Sequence, residues 1–253
     1  MEVIRTHFET IGSTNTWAKE NAALFPQDKV SLVTANEQTA GRGRFKRMWV
    51  SPSGLNIYAT FCFFLDRNRT DIGNIPQVLA LSIADALSSL SFSPKLRWPN
   101  DVLLSGKKVA GILCETTPLD KALCVILGVG LNVNMPLAIL EAIDRPATSM
   151  LVEGGKVYDL EDVLARLQEL FIKDLDLFLV QGFQSFHSKY CQISSHQQGD
   201  LIRFTSRCGI EEGVFQSIAE DGSLELRFST GEKRLVHSGE IVHSAIDKLF
   251  FNH

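Results

Sequence analysis

Positive charge is crowded into one short segment of a chain that is otherwise net acidic. Residues 37–49, EQTAGRGRFKRMW, set Arg42, Arg44, Lys46 and Arg47 beside Gly41 and Gly43, while the 253 residues together carry a formal charge of -4. Glycines alternating with arginines let the backbone turn tightly and present N–H groups to an anion. The arginines add forked donors that suit a carboxylate or a phosphate. A plain solvated basic loop has the same composition, because short glycine patterns recur by chance.

Three other segments carry residues of chemical interest. RWPNDVLLSGKKVAGILCE, residues 97–115, stops a strand at Pro99 and follows it with Asn100 and Asp101, which are turn residues and also ligands for a nucleotide or its metal. Lys107 and Lys108 then enter an apolar strand after a turn at Ser105-Gly106. Alternation along a strand sends them to opposite faces, so one can face a pocket; an ordinary hairpin with exposed lysines fits as well. VILGVGLNVN, residues 125–134, ends a strand in glycines, where a ligand or another backbone can come close, and puts Asn132 and Asn134 at its exit. The alternative there is an Asn-containing turn. Ser13-Thr14-Asn15 reads as a helix cap, and a helix N-terminus also offers unpaired N–H donors.

The elements that must hold these residues follow from periodicity. Helices are predicted over 14–24, 75–90 and 160–180, the last from Leu160, Val163, Leu164, Leu167, Leu170, Phe171 and Phe178 at three- and four-residue spacing. Strands are predicted over 30–35, 55–65, 95–98, 108–115 and 122–129, separated by turn-formers that include Pro99-Asn100-Asp101. Together they describe a mixed sheet covered by helices on one side. After about Ser194 glycines recur roughly every ten residues between short strand-like runs, which suggests a compact all-β module. The expected division is 1–193 and 194–253, with the boundary near 191–197.

Composition narrows the function classes. No run of about 18 apolar residues is present to span a bilayer, and the N-terminus lacks the layout of a secretory signal, so a cytoplasmic protein without a membrane partner is expected. Cys62, Cys114, Cys124, Cys191 and Cys208 lack zinc or redox spacing, and the histidines lack ligand spacing, so no protein-built metal site is expected. Net acidity gives no general attraction to nucleic acid.

Taken in this order, the Gly-Arg-Gly-Arg loop with its following Trp49, the Trp-Pro-Asn-Asp segment and the Lys-x-x-Gly-Ile strand resemble the biotin protein ligase family. The resemblance covers nearly the whole chain. It implies an α+β catalytic domain of the class II synthetase-like, biotin-lipoate ligase type, with a mixed sheet packed by helices, followed by a small SH3-like β-barrel. It implies activation of biotin by ATP to the adenylate, then transfer to a lysine of a biotin carboxyl carrier protein domain. By similarity, biotin would meet Ser13, Thr14, Asn15, Gln38, Gly41, Arg42, Gly43, Arg44, Lys108 and Gly111. ATP would meet Arg44, Trp49, Asn100, Asp101, Lys108 and Asn132, with Trp49 packed on adenine. Lys108, Arg44 and Arg42 would carry the chemistry. Magnesium would be held by the ATP phosphates, with Asp101 as an added ligand.

Two departures qualify the likeness. Family members commonly continue the loop with Arg-Gly, where this chain has Phe45-Lys46, so loop ordering and adenylate retention are put in question. Some relatives carry an N-terminal DNA-binding domain of some 60 residues, and the position of Ser13 leaves no room for one, so no DNA partner is expected. A homodimer is left open. The rival readings are a lipoate or octanoate protein ligase and a non-catalytic module that binds nucleic acid or protein. The latter gives no reason for Trp-Pro-Asn-Asp followed by Lys-Lys-Val-Ala-Gly.

Overall fold

The chain was described from a computed structural model covering residues 1–241, apart from 121 and 207–208; the side chains of Lys46, Ser206 and Glu240 are likewise outside the description. Cys208 and the end of the tail, 242–253, therefore lie outside the described residues. Among the described residues, twelve strands and six α-helices run in the order β1 (Val3–Ile11), α1 (Thr14–Glu20), β2 (Val30–Gln38), β3 (Ile57–Asp66), α2 (Ile75–Ser89), β4 (Lys95–Arg97), β5 (Asp101–Leu104), β6 (Lys107–Leu119), β7 (Ala122–Leu131), α3 (Leu137–Leu140), α4 (Met150–Gly154), α5 (Leu160–Gln181), α6 (Gln184–Ile193), β8 (Leu201–Ser206), β9 (Gly209–Ile218), β10 (Leu224–Arg227), β11 (Lys233–Val236) and β12 (Glu240–Ile241).

A seven-stranded sheet, in the order β1-β2-β3-β7-β6-β5-β4, forms the body. Only β1 and β2 are parallel; the remaining pairs are antiparallel. The central strands β3 and β7 are buried on both faces, which is why they read as unbroken apolar runs. Alternate residues divide between two cores. Phe61, Phe63, Val125 and Leu127 pack with α2 and α5, whereas Val33, Cys62, Cys124 and Ile126 pack with Ala18 and Ala22. Helices thus lie on both faces of this sheet, and the expectation of one covered side is corrected by α1.

Local chemistry explains the principal helices. Ser13 caps α1 by accepting from the Thr16 N–H at 3.4 Å. Pro76 stands in the first turn of α2, where its missing N–H costs nothing. Asp159 caps α5 by accepting from the Glu161 and Asp162 N–H groups, and Gly182, at φ 69°, ends it. The strand β1 and the short β5 were not predicted from the sequence. Asp101, read as a turn residue, is the first residue of β5.

The expected SH3-like barrel is not what the tail forms. Its described residues make an open five-stranded sheet, β11-β10-β9-β8-β12. The end strands do not meet: β11 pairs with β10, and β12 pairs with β8 through Glu240↔Thr205 and Ile241↔Phe204. Glycine punctuation sets where strands stop, but closure requires the terminal strands to pair, and no local signal encodes that. The apolar face is covered instead by the body of the molecule, since Ile202, Phe204, Phe215, Ile218, Leu224 and Leu226 join the main core.

Candidate active site

A cleft of ≈ 450 Å³ opens over the ends of β6 and β7, within the range of small-molecule sites. Of the residues that the resemblance assigned to biotin or ATP, all but Gly41 line it, whereas Lys107 and Asn134 do not. Gly41 is buried at the base of the basic loop, where its carbonyl accepts from the Trp49 N–H at 2.9 Å. A Cβ there would lie 2.6 Å from Ser51 Oγ and from Trp49 O, so the position excludes a side chain.

One wall is the β5–β6 hairpin. Lys108 Nζ pairs with Asp101 Oδ1 at 2.5 Å, and Arg97 Nη2 donates to Asp101 Oδ2 at 2.9 Å. Burial pushes the Asp101 carboxyl up, but Lys108 and Arg97 outweigh it and hold the group below the usual carboxylate range. Asp101 is therefore a fixed anion between two cations. Lys107, its neighbour's opposite in the pleat, is exposed. Asn100 Nδ2 donates to Ile112 O at 2.6 Å, leaving its Oδ1 turned to the cleft.

The facing wall is the basic loop. Gly43 N–H donates to Arg47 O, and an isolated bridge joins Arg42 to Met48, so the loop folds back as a small hairpin. At its tip Phe45 takes φ 55°, ψ 36°, in the left-handed region. This is where the family pattern has Arg-Gly and this chain has Phe-Lys. Arg44 Nη1 donates to Asn100 Oδ1 at 3.1 Å, and its Nη2 to Gly239 O at 2.8 Å. Burial lowers the pKa of Arg44, partly countered by Asp101, and a guanidinium stays charged even so. Arg42 reaches the other end of the cleft, where Nη2 donates to Glu115 Oε2 at 3.0 Å.

The floor is made by glycines. A Cβ on Gly111 would stand 2.7 Å from Lys108 Cε and Nζ and 3.0 Å from Trp49, and one on Gly130 would overlap the Trp49 indole. Bare backbone at these two positions lets the ring lie on the sheet, with Lys108 Nζ 5.2 Å from its centroid. The Trp49 Nε1 is buried without a hydrogen-bond partner. At the far end Thr14 donates through both its N–H and its hydroxyl to Gln38 Oε1, at 2.9 and 3.1 Å, and Gln38 Nε2 donates to Ser51 Oγ. Asn15 accepts from Thr60 Oγ1 at 2.7 Å and donates to Leu113 O at 3.2 Å.

Several contributors were not found from sequence. Glu115 gathers Arg42, Lys19 and Asn15. The segment 142–147 borders the cleft because Lys108 N–H donates to Pro146 O and Thr148 N–H to Lys108 O. Asn132, expected at ATP, donates its amide to Thr148 O at 3.0 Å and so secures that segment. Such contacts join residues far apart in sequence and leave no local pattern. Among the described residues no group of three or more His, Cys, Asp or Glu could hold a metal, and no helix is long and apolar enough to cross a membrane.

Comparison with known proteins bears on the family. Residues 7–132 match the model of the biotin/lipoate A/B protein ligase family. A biotin--[acetyl-CoA-carboxylase] ligase of Paracoccus denitrificans is 33% identical over 218 residues, covering 83% of this chain and 88% of that protein. The chloroplastic biotin--protein ligase 1 of Arabidopsis thaliana is 30% identical over 204 residues, or 76% of this chain. The chain spans 53% to 65% of the length of the first three curated relatives it matches. Among solved structures, the biotin protein ligase of Aquifex aeolicus in complex with biotin and ATP superposes with a TM-score of 0.77 at 28% identity, covering 95% of this chain and 97% of that one. Motifs, fold and relatives converge on one conclusion: the chain belongs to the biotin protein ligase family.

Proposed function

We propose that this chain activates biotin with ATP to biotinyl-5′-adenylate and transfers the biotinyl group to a lysine of a biotin carboxyl carrier protein domain. The observation that carries this reading is the cleft itself. Lys108 from β6, and Arg44 and Arg42 from the basic loop, are brought by separate elements to one glycine-floored space. In the first step a biotin carboxylate oxygen attacks the α-phosphorus of ATP and pyrophosphate leaves. Two anions must meet, and fixed cations offset their repulsion and stabilise the charge that develops on phosphorus. Lys108 is held for this by Asp101, and Arg44 by Asn100 and Gly239 O.

The remaining residues are assigned as part of the same reading. Ser13, Thr14, Asn15, Gln38, Gly43 and Gly111 surround the biotin end, while Trp49, Asn100 and Asp101 serve the nucleotide. Magnesium arrives with ATP as part of the substrate. The protein offers Asp101 and Asp144 singly in the cleft, which suits a cation held mainly by phosphates and water. Closure of residues 41–49 over the adenylate would keep water from it.

In the second step the acceptor lysine amine attacks the acyl carbon, AMP departs, and a proton is lost from the amine. Positioning supplies much of the rate, since the reacting groups are held together. The test is intact mass spectrometry of a carrier domain incubated with purified protein, biotin, ATP and magnesium. A gain of one biotinyl group is expected. Adenylate formation with octanoate or lipoate in place of biotin would overturn the substrate assignment.

A further inference from the structure

One turn of the second sheet packs behind the segment that leads into the cleft. Between β9 and β10, residues 219–223 fold tightly: Gly222 N–H donates to Ala219 O at 2.8 Å, and Ser223 donates to Asp221 Oδ1 through its N–H at 3.0 Å and its hydroxyl at 2.5 Å. Three side chains of the catalytic body converge on this turn. Trp98 Nε1 donates to Gly222 O at 2.9 Å, Gln77 Nε2 donates to the same oxygen at 2.8 Å, and Asn74 Nδ2 donates to Asp221 O at 2.8 Å. Gln77 and Trp98 are 2% and 3% exposed, so their two bonds to Gly222 O form away from water, where an unmet donor is costly. Gly222 sits at φ 79°, and a Cβ on it would collide with Asn74 and Gln77. The approach therefore demands glycine.

What the turn holds is the start of the nucleotide segment. Trp98 is followed directly by Pro99, whose φ is fixed by its ring, and then by Asn100 and Asp101. Asn100 takes Arg44, and Asp101 takes Lys108 and Arg97. Arg44 also donates to Gly239 O, so the residues beside the second sheet reach this segment again, indirectly, through Arg44 and Asn100.

We propose that the Asp221–Gly222 turn, with Gln77 and Trp98, is a positioning element for ATP: by fixing the Trp98 indole it sets where Asn100 and Asp101 stand in the cleft. The proposal rests on the adenylating function given above. Trp98 itself borders the cleft, but Gln77 does not, so Gln77 separates transmission from contact.

The experiment measures KM for ATP and for biotin, with kcat, for adenylate formation by the full chain and by Gln77→Met, Trp98→Phe and Gly222→Ala. Gln77→Met keeps length and burial and removes both the donor to Gly222 O and the Oε1 that accepts from Asn74 Nδ2 at 2.7 Å, while Trp98 still satisfies Gly222 O. KM for ATP is expected to rise about tenfold in Gln77→Met, with KM for biotin changed less than about twofold. Leu226→Val, inside the second sheet, is the control: it should lower Tm and leave KM for ATP alone. An unchanged KM for ATP in Gln77→Met, or an equal rise in Leu226→Val, overturns the proposal and leaves the turn a purely structural joint. Should Gly222→Ala fail to fold, the other two variants still decide. Failure of the unaltered chain to form biotinyl adenylate would instead refute the function on which the proposal stands.

Discussion

Lys108 and Arg44 both bring a cation to the cleft, but their backbones are held in different ways. Lys108 lies in β6, with its N–H and C=O bonded to Pro146 and Thr148, and its ammonium set against Asp101. Arg44 lies at the tip of a loop that is closed by few backbone bonds and passes through a left-handed Phe45. A non-glycine residue in that conformation costs about 1–2 kcal/mol. Arg44 is kept in place chiefly by its own guanidinium, spanning Asn100 and Gly239 O. The comparison teaches a division of labour. On the proposed function, the hairpin wall would hold its cation ready before substrates arrive, while the loop would let its cation go and take it back as substrates and products pass.

Breaking the wall should cost the most. Lys108→Ala is expected to slow adenylate formation by about 10²–10³, the range for losing one preorganised stabiliser of developing charge. Lys107→Ala, on the exposed face, should change it less than about twofold, and equal losses would remove the distinction. Breaking the loop should show in retention. Arg44→Ala is expected to raise leakage of adenylate into solution about tenfold while slowing its formation less than Lys108→Ala does. Unchanged leakage would deny the loop that role.

A pH series sharpens the same contrast. The Asp101 pKa is depressed in the fold, so the stability it contributes is present above its unfolded pKa, about 3.9, and is lost as pH falls through the lower folded value. Asp101→Asn should flatten that part of the acid limb in a Tm-against-pH series, and an unaltered limb would contradict the ion-pair account. The smallest effect is expected from Phe45→Gly. Relief of the left-handed strain is offset by the added freedom of glycine in the unfolded chain, so Tm should move by no more than about 2 °C. Amide exchange in residues 41–49 should nevertheless quicken severalfold; unchanged exchange would mean that Phe45 does not stiffen the loop.

The two walls were also unequally legible in the sequence. β3, β7, α2 and α5 declare themselves through apolar periodicity, and the residues of the cleft through glycines and cations placed at their ends. Strand β1 does not, because most of its residues are exposed and its partner β2 comes 27 residues later. β5 hides behind Asn100-Asp101, whose types suit a turn until the pairing with β6 overrides them. The link from Arg44 to Gly239 spans 195 residues, and the bridge from Lys108 to Ala147 joins a strand to a loop. Neither has a local signature. The open second sheet was misread for a related reason: turns fix strand length, but the packing of Phe204 and Leu224 against the body decides what covers its apolar face.

The convergence of the two walls on one reacting centre is tested most directly by a crystal structure of the chain with a non-hydrolysable biotinyl adenylate analogue. Lys108 Nζ and the Arg44 guanidinium should both stand within about 3.2 Å of oxygens at the acyl-phosphate linkage, with the indole of Trp49 against the adenine. A linkage bound beyond the reach of Lys108 and Arg44, with Lys108 still held by Asp101 alone, would contradict the account.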